Sequence, residues 1–469
     1  MPVLRTTGTA GSVTLAQPLV DAFGRSLKGA LLTRSAPDYD ERRRVWNRMI
    51  DRRPALIARA AVADDVVKAV RFAQDHDLLI SVRGGGHNVT GNAVCEGGLM
   101  IDLSSMRATQ VDPARRIALA DPGQNWGDFD GAVQRYGLVT TGGIVSTTGL
   151  AGLTLGGGHG WLTRKHGLTC DNLVSVDLVT AAGNGIHASA EENSDLFWAV
   201  RGGGGNFGVV TRFEFQLHPL EGVWAGLMLF PQTRAKEVLE HYFACAAVAP
   251  DELTLYVIIT TWHDGAPVIA IVACYSGAMA NGEKALSPLK TIANPLLDTI
   301  GPTTYGTLQT MFDATNPPDA WYYKTGYCKD QQPGSAPFID TLLAHCDFPS
   351  PSPLSRIVIE HLGGAMARVP ADATAFAHRD ASFDLIFIAG GFAPEATERN
   401  RAWARTAWEA MRPFLSGGAY VNYLDGDEGA AGLEAAYYGP TQARLAAIKA
   451  RYDPDNRFRL NQNIKPARS

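Results

Sequence analysis

The chain has 469 residues, a formal net charge of −5 at pH 7 and 49 glycines. This length predicts two or three domains with sizeable cores, and the slight acidic surplus argues against a nucleic-acid-binding protein. No apolar run approaches the roughly 18 residues that a membrane span needs, and the N-terminal residues lack the apolar core of a signal peptide. We therefore expect a cytoplasmic protein that does not bind membranes. The six cysteines are scattered without paired spacing, which predicts free thiols rather than disulfides or a zinc site.

Residues 37–220 are predicted to alternate short helices and strands, with a helix over 64–75 and then a buried strand over 78–82. That strand runs into Arg83, three consecutive glycines and His87. Consecutive glycines accept positive φ and turn several N–H groups into one concavity that suits a diphosphate, with Arg83 offsetting its charge. His87 then stands where a cofactor ring could meet it. The pattern predicts a covalently held dinucleotide, preferably a flavin; an ordinary hydrogen-bonded histidine is the alternative.

A second glycine cluster runs from Gly142 to Gly160. Its glycines alternate with apolar and β-branched residues, which indicates backbone packed closely on a flat ring rather than a flexible loop. A third motif, beginning at Gly203, has the spacing of a dinucleotide-binding fingerprint. It follows a predicted helix over 195–200 and precedes a predicted strand over 209–217, whereas that fingerprint leaves a strand and opens a helix. We therefore expect no Rossmann NAD site, and no histidine spacing indicates a metal.

Residues 221–415 have a different pattern, in which alternating apolar segments predict an antiparallel sheet with one face covered by helices. The clearest segments are strands over 254–260, 268–273, 356–360 and 385–389 and helices over 235–247 and 399–411. The tail is predicted to begin with a strand over 420–424 and to carry a helix from about Pro440. The chain is thus divided into residues 1–220, 221–415 and 416–469.

Four blocks of sequence occur in an order that is typical of one family. They are RGGGHN, STTGLAGLTLGGGHGWLTRKHGLTCDNL, WAVRGGGGNFGVVTRFEF and the ending YVNYLD…YDPDNRFRLNQNIKP. From about Asp38 to Pro466 the chain resembles the berberine-bridge-enzyme-like FAD-linked oxidases of the vanillyl-alcohol-oxidase superfamily. The resemblance implies an α+β fold, in which residues 1–220 and 416–469 form a two-part FAD-binding domain of the PCMH type. Residues 221–415 would form the substrate domain, whose antiparallel sheet roofs the flavin.

The resemblance also implies the cofactor site. His87 would be bonded to the flavin 8α-methyl carbon, Arg83 to Gly86 would hold the pyrophosphate, and Val209 and Val210 would pack against the adenine half. The full set of implied FAD-binding residues is Val82, Arg83, Gly84, Gly85, Gly86, His87, Asn88, Gly123, Gly142, Thr147, Thr148, Gly149, Gly152, Gly157, Gly158, His159, Gly160, Val209, Val210, Tyr420, Asn422 and Asn461.

The chain departs from the family pattern at two positions. Many members carry a second link through a cysteine, but Val145 occupies that position here, so attachment through His87 alone is expected. Plant-type members place a glutamate base where this chain has Arg368. The remaining candidates are Tyr420, which matches the tyrosine base of sugar-oxidising relatives, and Tyr423, expected on the same face. A structural tyrosine is the alternative for each, and Lys324 or Arg368 is the expected supporting cation.

The implied reaction is flavin-dependent oxidation of an alcohol. A base removes the hydroxyl proton, a hydride leaves the carbinol carbon for the flavin, and O2 reoxidises the flavin. Thr148 stands where a small residue leaves room for O2, which favours an oxidase over a dehydrogenase with another acceptor; a non-catalytic flavin-binding protein is a third possibility. The partners are then a small-molecule substrate, such as a sugar or secondary metabolite, and O2. Candidate roof residues are Tyr256, Tyr305, Tyr323, Glu360 and His361.

Overall fold

The structure is a computed structural model that describes residues 3–6, 11–330, 332–348 and 352–467. Within these ranges no helix is long and apolar enough to cross a membrane. The strands of the first part of the chain are β1 (Val3–Arg5), β2 (Ser12–Thr14), β3 (Ala30–Thr33), β4 (Leu56–Arg59), β5 (Ile80–Arg83), β6 (Leu99–Asp102), β7 (Thr109–Asp112), β8 (Ile117–Ala120), β9 (Leu138–Val139), β10 (Leu173–Val179), β11 (Gly185–Ser189), β12 (Val209–Gln216) and β13 (His218–Pro219). Its helices are α1 (Gln17–Ser26), α2 (Tyr39–Arg43), α3 (Ala63–Asp75), α4 (Trp126–Gln134), α5 (Leu150–Leu155), α6 (Thr163–His166) and α7 (Ser194–Val200).

Two sheets organise this first part. One is a mixed sheet in the order β3-β4-β6-β5, in which β4 and β5 both run parallel to β6. The other is an antiparallel sheet in the order β11-β10-β12-β8-β7. The predicted helix over 64–75 is α3, whose buried Val66, Ala69, Val70 and Ala73 recur at helical spacing and pack beneath the mixed sheet. The glycine-rich loops leave the ends of these elements.

The second part of the chain forms one large antiparallel sheet in the order β17-β14-β16-β15-β20-β21-β19, with β18 paired to β14. Its strands are β14 (Val223–Pro231), β15 (Leu253–Thr261), β16 (Pro267–Tyr275), β17 (Leu297–Asp298), β18 (Gly301–Thr303), β19 (Trp321–Tyr327), β20 (Arg356–His361) and β21 (Phe383–Gly390). Its helices are α8 (Ala235–Ala247), α9 (Gly282–Leu286), α10 (Tyr305–Gln309), α11 (Ala336–Leu343), α12 (Ala365–Arg368) and α13 (Thr397–Met411). One apolar core joins α8, α11 and α13 to one face of this sheet, so the opposite face is left for the site.

The tail returns to the first part of the chain. It consists of a 3₁₀ turn over Val421–Tyr423 and the helices α14 (Gly429–Ala436) and α15 (Pro440–Tyr452). Ala419 and Leu445 share a core with Phe213 and other residues of the antiparallel sheet of the first part. The α+β class and the helix from Pro440 are confirmed, and the predicted strand over 420–424 is wrong because a tight turn takes its place.

Candidate active site

A cavity of about 470 Å³ lies between the two parts of the chain, a volume typical of sites for small ligands. We call its two walls the floor and the roof. The floor consists of the loop over 84–88, the segment 143–153, the loop over 204–210 and tail residues 420–423 and 458–462. The roof consists of the open face of the large sheet, from β14, β15, β16, β19, β20 and β21, with the segment 311–316.

Backbone atoms, rather than side chains, shape the floor. A Cβ atom added to Gly85 would lie 2.3 Å from the Cα of Gly149, so the two glycine loops touch backbone to backbone. Gly152 and Gly205 also line the cavity, and a Cβ at either would meet nothing within 4 Å. The two loops are therefore in contact at Gly85 and Gly149, and free space for a ligand remains beside Gly152 and Gly205. This arrangement requires glycine at Gly85 and Gly149 because any side chain would separate the loops.

His87 lies on the floor in a fixed orientation. Its ring stacks on Trp46 with the centroids 4.9 Å apart, and Trp46 stacks in turn on Trp321 at 4.8 Å. The Thr147 hydroxyl lies 3.2 Å from His87 Nε2. The side chain is half-buried at the cavity surface, and desolvation by the surrounding protein lowers its pKa to about 4. The imidazole is therefore neutral at pH 7, which is the form that can act as a nucleophile.

The floor fits a dinucleotide that is held mainly by backbone groups. Asn461 lines the cavity, and its buried Oδ1 has no hydrogen-bond partner among the described residues; a hydroxyl or amino group of a ligand would satisfy it. Arg83 does not line the cavity and instead donates a hydrogen bond to the Arg42 carbonyl. The expectation that Arg83 offsets a diphosphate charge therefore lacks support, because its side chain is directed to the protein. Consecutive N–H groups of the glycine loops remain the candidate for binding a diphosphate.

The structure brings most of the implied FAD-binding residues to the cavity. Those that line it are Val82, Gly84, Gly85, Gly86, His87, Asn88, Thr148, Gly149, Gly152, His159, Val209, Val210, Tyr420, Asn422 and Asn461. Seven of the implied residues do not line it. Thr147 is exposed and lies beside His87, and the others are Arg83, Gly123, Gly142, Gly157, Gly158 and Gly160. Two of these glycines are required by close backbone packing. A Cβ atom would lie 1.9 Å from the Leu103 carbonyl oxygen at Gly123 and 2.1 Å from the Gly142 carbonyl oxygen at Gly160.

Tyr420 and Tyr423 point to the same side of the tail, as expected, but the cause is a 3₁₀ turn and not the predicted strand. On a strand, residues three apart point to opposite faces, whereas a 3₁₀ turn repeats every three residues. Here the rings of Tyr420 and Tyr423 lie 4.9 Å apart. The Tyr420 hydroxyl accepts hydrogen bonds from the Gly158 N–H at 3.0 Å and from Asn422 Nδ2 at 2.8 Å. Both of its lone pairs are therefore occupied.

Tyr423 has a different partner. Its hydroxyl donates to Glu360 Oε1 at 3.3 Å, and both side chains line the cavity. Burial raises the pKa of Tyr423 well above 10, and the nearby Glu360 raises it further. The phenol is therefore protonated at rest and is directed at a carboxyl group that can take its proton.

Glu360 belongs to a buried cluster with His159 and Asp384, whose polar atoms all lie within 4.8 Å of one another. Glu360 and Asp384 are directly opposite on β20 and β21. Burial, and then the Asp384 charge, raise the pKa of Glu360 well above 4.5; burial raises that of Asp384 to about 7 and lowers that of His159 to about 3. At this spacing the groups could share a metal ion or a proton, and the absence of a metal stays a prediction.

The roof presents side chains at every second position, as a half-buried strand does. Arg356, Val358 and Glu360 of β20 line the cavity, while Ile357 and Ile359 enter the core beneath the helices. Of the candidate roof residues, Tyr256, Tyr323 and Glu360 line the cavity, and Tyr305 and His361 do not. Sequence reasoning missed Arg356 and Trp46, although Arg356 lies four positions before Glu360 on a predicted strand and therefore shares its face.

The expected supporting cations lie elsewhere. Lys324 pairs with Asp427 and Glu428, and Arg368 pairs with Asp251 on the surface. Neither Lys324 nor Arg368 lines the cavity. All six cysteines are free and buried, and none lines the cavity. Val145, which the resemblance implies at the position of the second link, does line it.

Comparisons with known proteins agree with this geometry. A profile of an FAD binding domain matches residues 54–189, and a profile described as berberine and berberine like matches residues 419–465. An FAD-linked oxidoreductase of Dictyostelium discoideum is 33% identical over 457 residues, which cover 96% of this chain and 98% of that protein. The crystal structure of 6-hydroxy-D-nicotine oxidase from Arthrobacter nicotinovorans is 29% identical, has a TM-score of 0.87 and covers 97% of this chain and 100% of that one. The chitooligosaccharide oxidase of Gibberella zeae is 29% identical over 90% of this chain and 89% of its own length.

The fold and the cavity together define an FAD-dependent oxidoreductase. The relatives identify it further: the chain belongs to the berberine-bridge-enzyme-like FAD-linked oxidoreductases of the vanillyl-alcohol-oxidase superfamily.

Proposed function

We propose that the protein is an FAD-dependent oxidase that removes a hydride from an alcohol carbon of a small molecule and passes the electrons to O2, giving H2O2. The observation that carries this proposal is the Tyr423–Glu360 hydrogen bond, which places a proton-accepting pair in the same cavity as the glycine-lined floor. The named relatives oxidise a hydroxynicotine and chitooligosaccharides. They support oxidation of a hydroxylated small molecule, but because their substrates differ they do not indicate which one this protein uses.

The floor would hold FAD through one covalent bond, from the His87 imidazole to the flavin 8α carbon. Three observations support this: the imidazole is neutral, the Trp46 stack fixes its plane, and no cysteine among the described residues reaches the cavity. Thr147 engages Nε2, which leaves Nδ1 as the nitrogen for attachment. Asn422 and Asn461 would close the site from the tail, which supports the proposed assignment of 1–220 and 416–469 to one FAD-binding domain.

When bound, FAD supplies a hydride acceptor and a route to O2. The chain's own residues manage the proton. The substrate hydroxyl would donate to Tyr423 Oη, and Tyr423 would pass its proton to Glu360 Oε1. Because burial makes Glu360 a stronger base than an exposed glutamate, the relay needs no standing tyrosinate. In this scheme Tyr423 replaces Tyr420 as the residue in contact with substrate, since the Tyr420 oxygen already accepts two hydrogen bonds.

Thr148 lines the cavity beside Gly149, which keeps it as our candidate for admitting O2. The test is anaerobic reduction of the purified holoprotein followed by admission of air. An oxidase regains its oxidised absorption spectrum within seconds and forms one H2O2 per flavin. Reoxidation over many minutes, together with rapid turnover on a quinone acceptor, would instead establish the dehydrogenase.

A further inference from the structure

The roof of the cavity is mainly apolar; besides Glu360 and Arg356, its polar lining consists of Thr260, Thr315, Asn316 and the phenols of Tyr256 and Tyr323. Leu227, Ile258, Trp262, Met311 and Ile388 are typical of its surface. Carbohydrate rings carry a hydroxyl group on almost every carbon, and this lining offers few polar side chains to bind them. The surface instead suits a flat, mainly apolar body. Only Glu360 and Arg356 of the described cavity-lining residues carry carboxyl or guanidinium groups.

Arg356 is buried without an anionic partner. The residue is 7% exposed, and no carboxylate among the described residues forms an ion pair with it. Its guanidinium donates to the carbonyls of Thr315 and Leu354 through Nη1 and to Asn316 Oδ1 through Nη2. Arginine has five N–H donors, so one on Nε and one on Nη2 remain without an acceptor in the described chain.

The position of this cation is fixed relative to the proposed flavin anchor. The Arg356 guanidinium carbon lies 5.3 Å from the centroid of the Trp321 ring, and Trp321 stacks on Trp46, which stacks on His87. Three neutral acceptors and an indole face hold the guanidinium in place, yet none of them neutralises it. A buried charge without a counterion is costly, and that cost falls when an anion binds.

We propose that Arg356 is the specificity-determining group of the substrate cavity and binds a carboxylate or phenolate of an aromatic or polycyclic alcohol. The inference rests on the proposed oxidation and names its substrate class. The two free N–H donors would bind the anionic oxygen atoms, the apolar roof would cover the ring system, and the carbinol would lie at the Tyr423–Glu360 end. A neutral oligosaccharide would leave Arg356 without a counterion.

The test measures binding without turnover. The holoprotein is titrated with 2-naphthoate and with its uncharged analogue 2-naphthamide, and the flavin absorption spectrum reports occupancy. We expect 2-naphthoate to bind about ten- to a hundred-fold more tightly, the range for a hydrogen-bonded buried charge. Arg356→Gln should abolish this preference and Arg356→Lys should keep part of it, while Arg368→Gln, which changes a surface arginine, should leave both affinities unchanged.

Flavin content and thermal unfolding of each variant show whether it is folded, and Arg356→Lys retains the charge if Arg356→Gln does not fold. Equal affinity of the wild type for the two probes would overturn the inference, as would an anion preference that survives in folded Arg356→Gln. The outcome is separable from that of the proposed function. A protein that prefers 2-naphthoate but oxidises no alcohol contradicts the oxidase alone, whereas one that oxidises neutral alcohols without anion preference contradicts only the role of Arg356.

Discussion

The floor and the roof of the cavity are built by different means. In the floor, glycine loops touch through backbone atoms, so the shape depends on the absence of side chains, as at Gly85 and Gly149. In the roof, alternate residues of β20 present Arg356, Val358 and Glu360 to the cavity, so its chemistry depends on individual side chains. The difference implies a division of labour: the floor determines which cofactor binds, and the roof determines which substrate reacts. A substitution in one wall should therefore impair that wall's function and spare the function of the other.

The largest effect is expected from filling the contact between the two glycine loops. Gly85→Ala places a Cβ atom 2.3 Å from the Gly149 Cα, so one loop must move and the flavin site is lost. The purified variant should carry no flavin, as measured by absorbance relative to protein. Gly131→Ala is the matched control, since a Cβ there meets nothing within 4 Å. If Gly85→Ala retained a full complement of flavin, backbone contact would not define the floor.

A substitution of Glu360 in the roof should instead leave the flavin bound and abolish most of the turnover. Glu360→Gln keeps the size of the side chain but removes the proton acceptor of Tyr423. General base catalysis contributes about 10²- to 10⁴-fold to rates, so kcat should fall by that factor. Tyr423→Phe should lose comparable activity. Unchanged turnover in Glu360→Gln, measured with a true substrate, would rule out the relay.

A smaller change is expected in the pH dependence when the neighbour of Glu360 loses its charge. Glu360 accepts a proton only when ionised, so turnover rises with pH through its pKa. The Asp384 carboxylate raises that pKa, and Asp384→Asn should therefore shift the acidic limb of the kcat profile to lower pH. The exposed Asp128→Asn variant is the control and should leave the limb in place. A shift to higher pH would show that Asp384 acts in some other way.

The smallest effect on catalysis is expected at Tyr420, which belongs to the floor. Tyr420→Phe removes the acceptor of the Gly158 N–H and of Asn422 Nδ2, and unsatisfied buried donors cost about 1–3 kcal/mol. The thermal unfolding midpoint should fall by a few degrees while kcat changes little. A loss of turnover as large as that of Tyr423→Phe would return the role of base to Tyr420.

The contrast between the walls also explains what the sequence could predict. The close backbone packing of the floor was predictable because consecutive glycines, as in RGGGH and GGGHG, are a local signal of backbone that approaches backbone. The large sheet followed from alternation, but the residues that meet across it did not. Glu360 and Asp384 are separated by 24 positions and are neighbours only through the β20–β21 register, which no local pattern specifies. The tail turn was missed because Tyr420–Leu424 reads as a strand, whereas packing against Gly158 and Glu360 favours a 3₁₀ turn.

The proposed attachment of FAD through His87 alone can be tested directly. Denaturing mass spectrometry of the wild type should give the mass of the chain plus one FAD, and acid-precipitated protein should keep its flavin absorption. His87→Ala should give the mass of the bare chain, with any flavin released on denaturation, while Cys170→Ala should retain the adduct. A wild-type mass without FAD, or an adduct that persists in His87→Ala, would contradict attachment through His87.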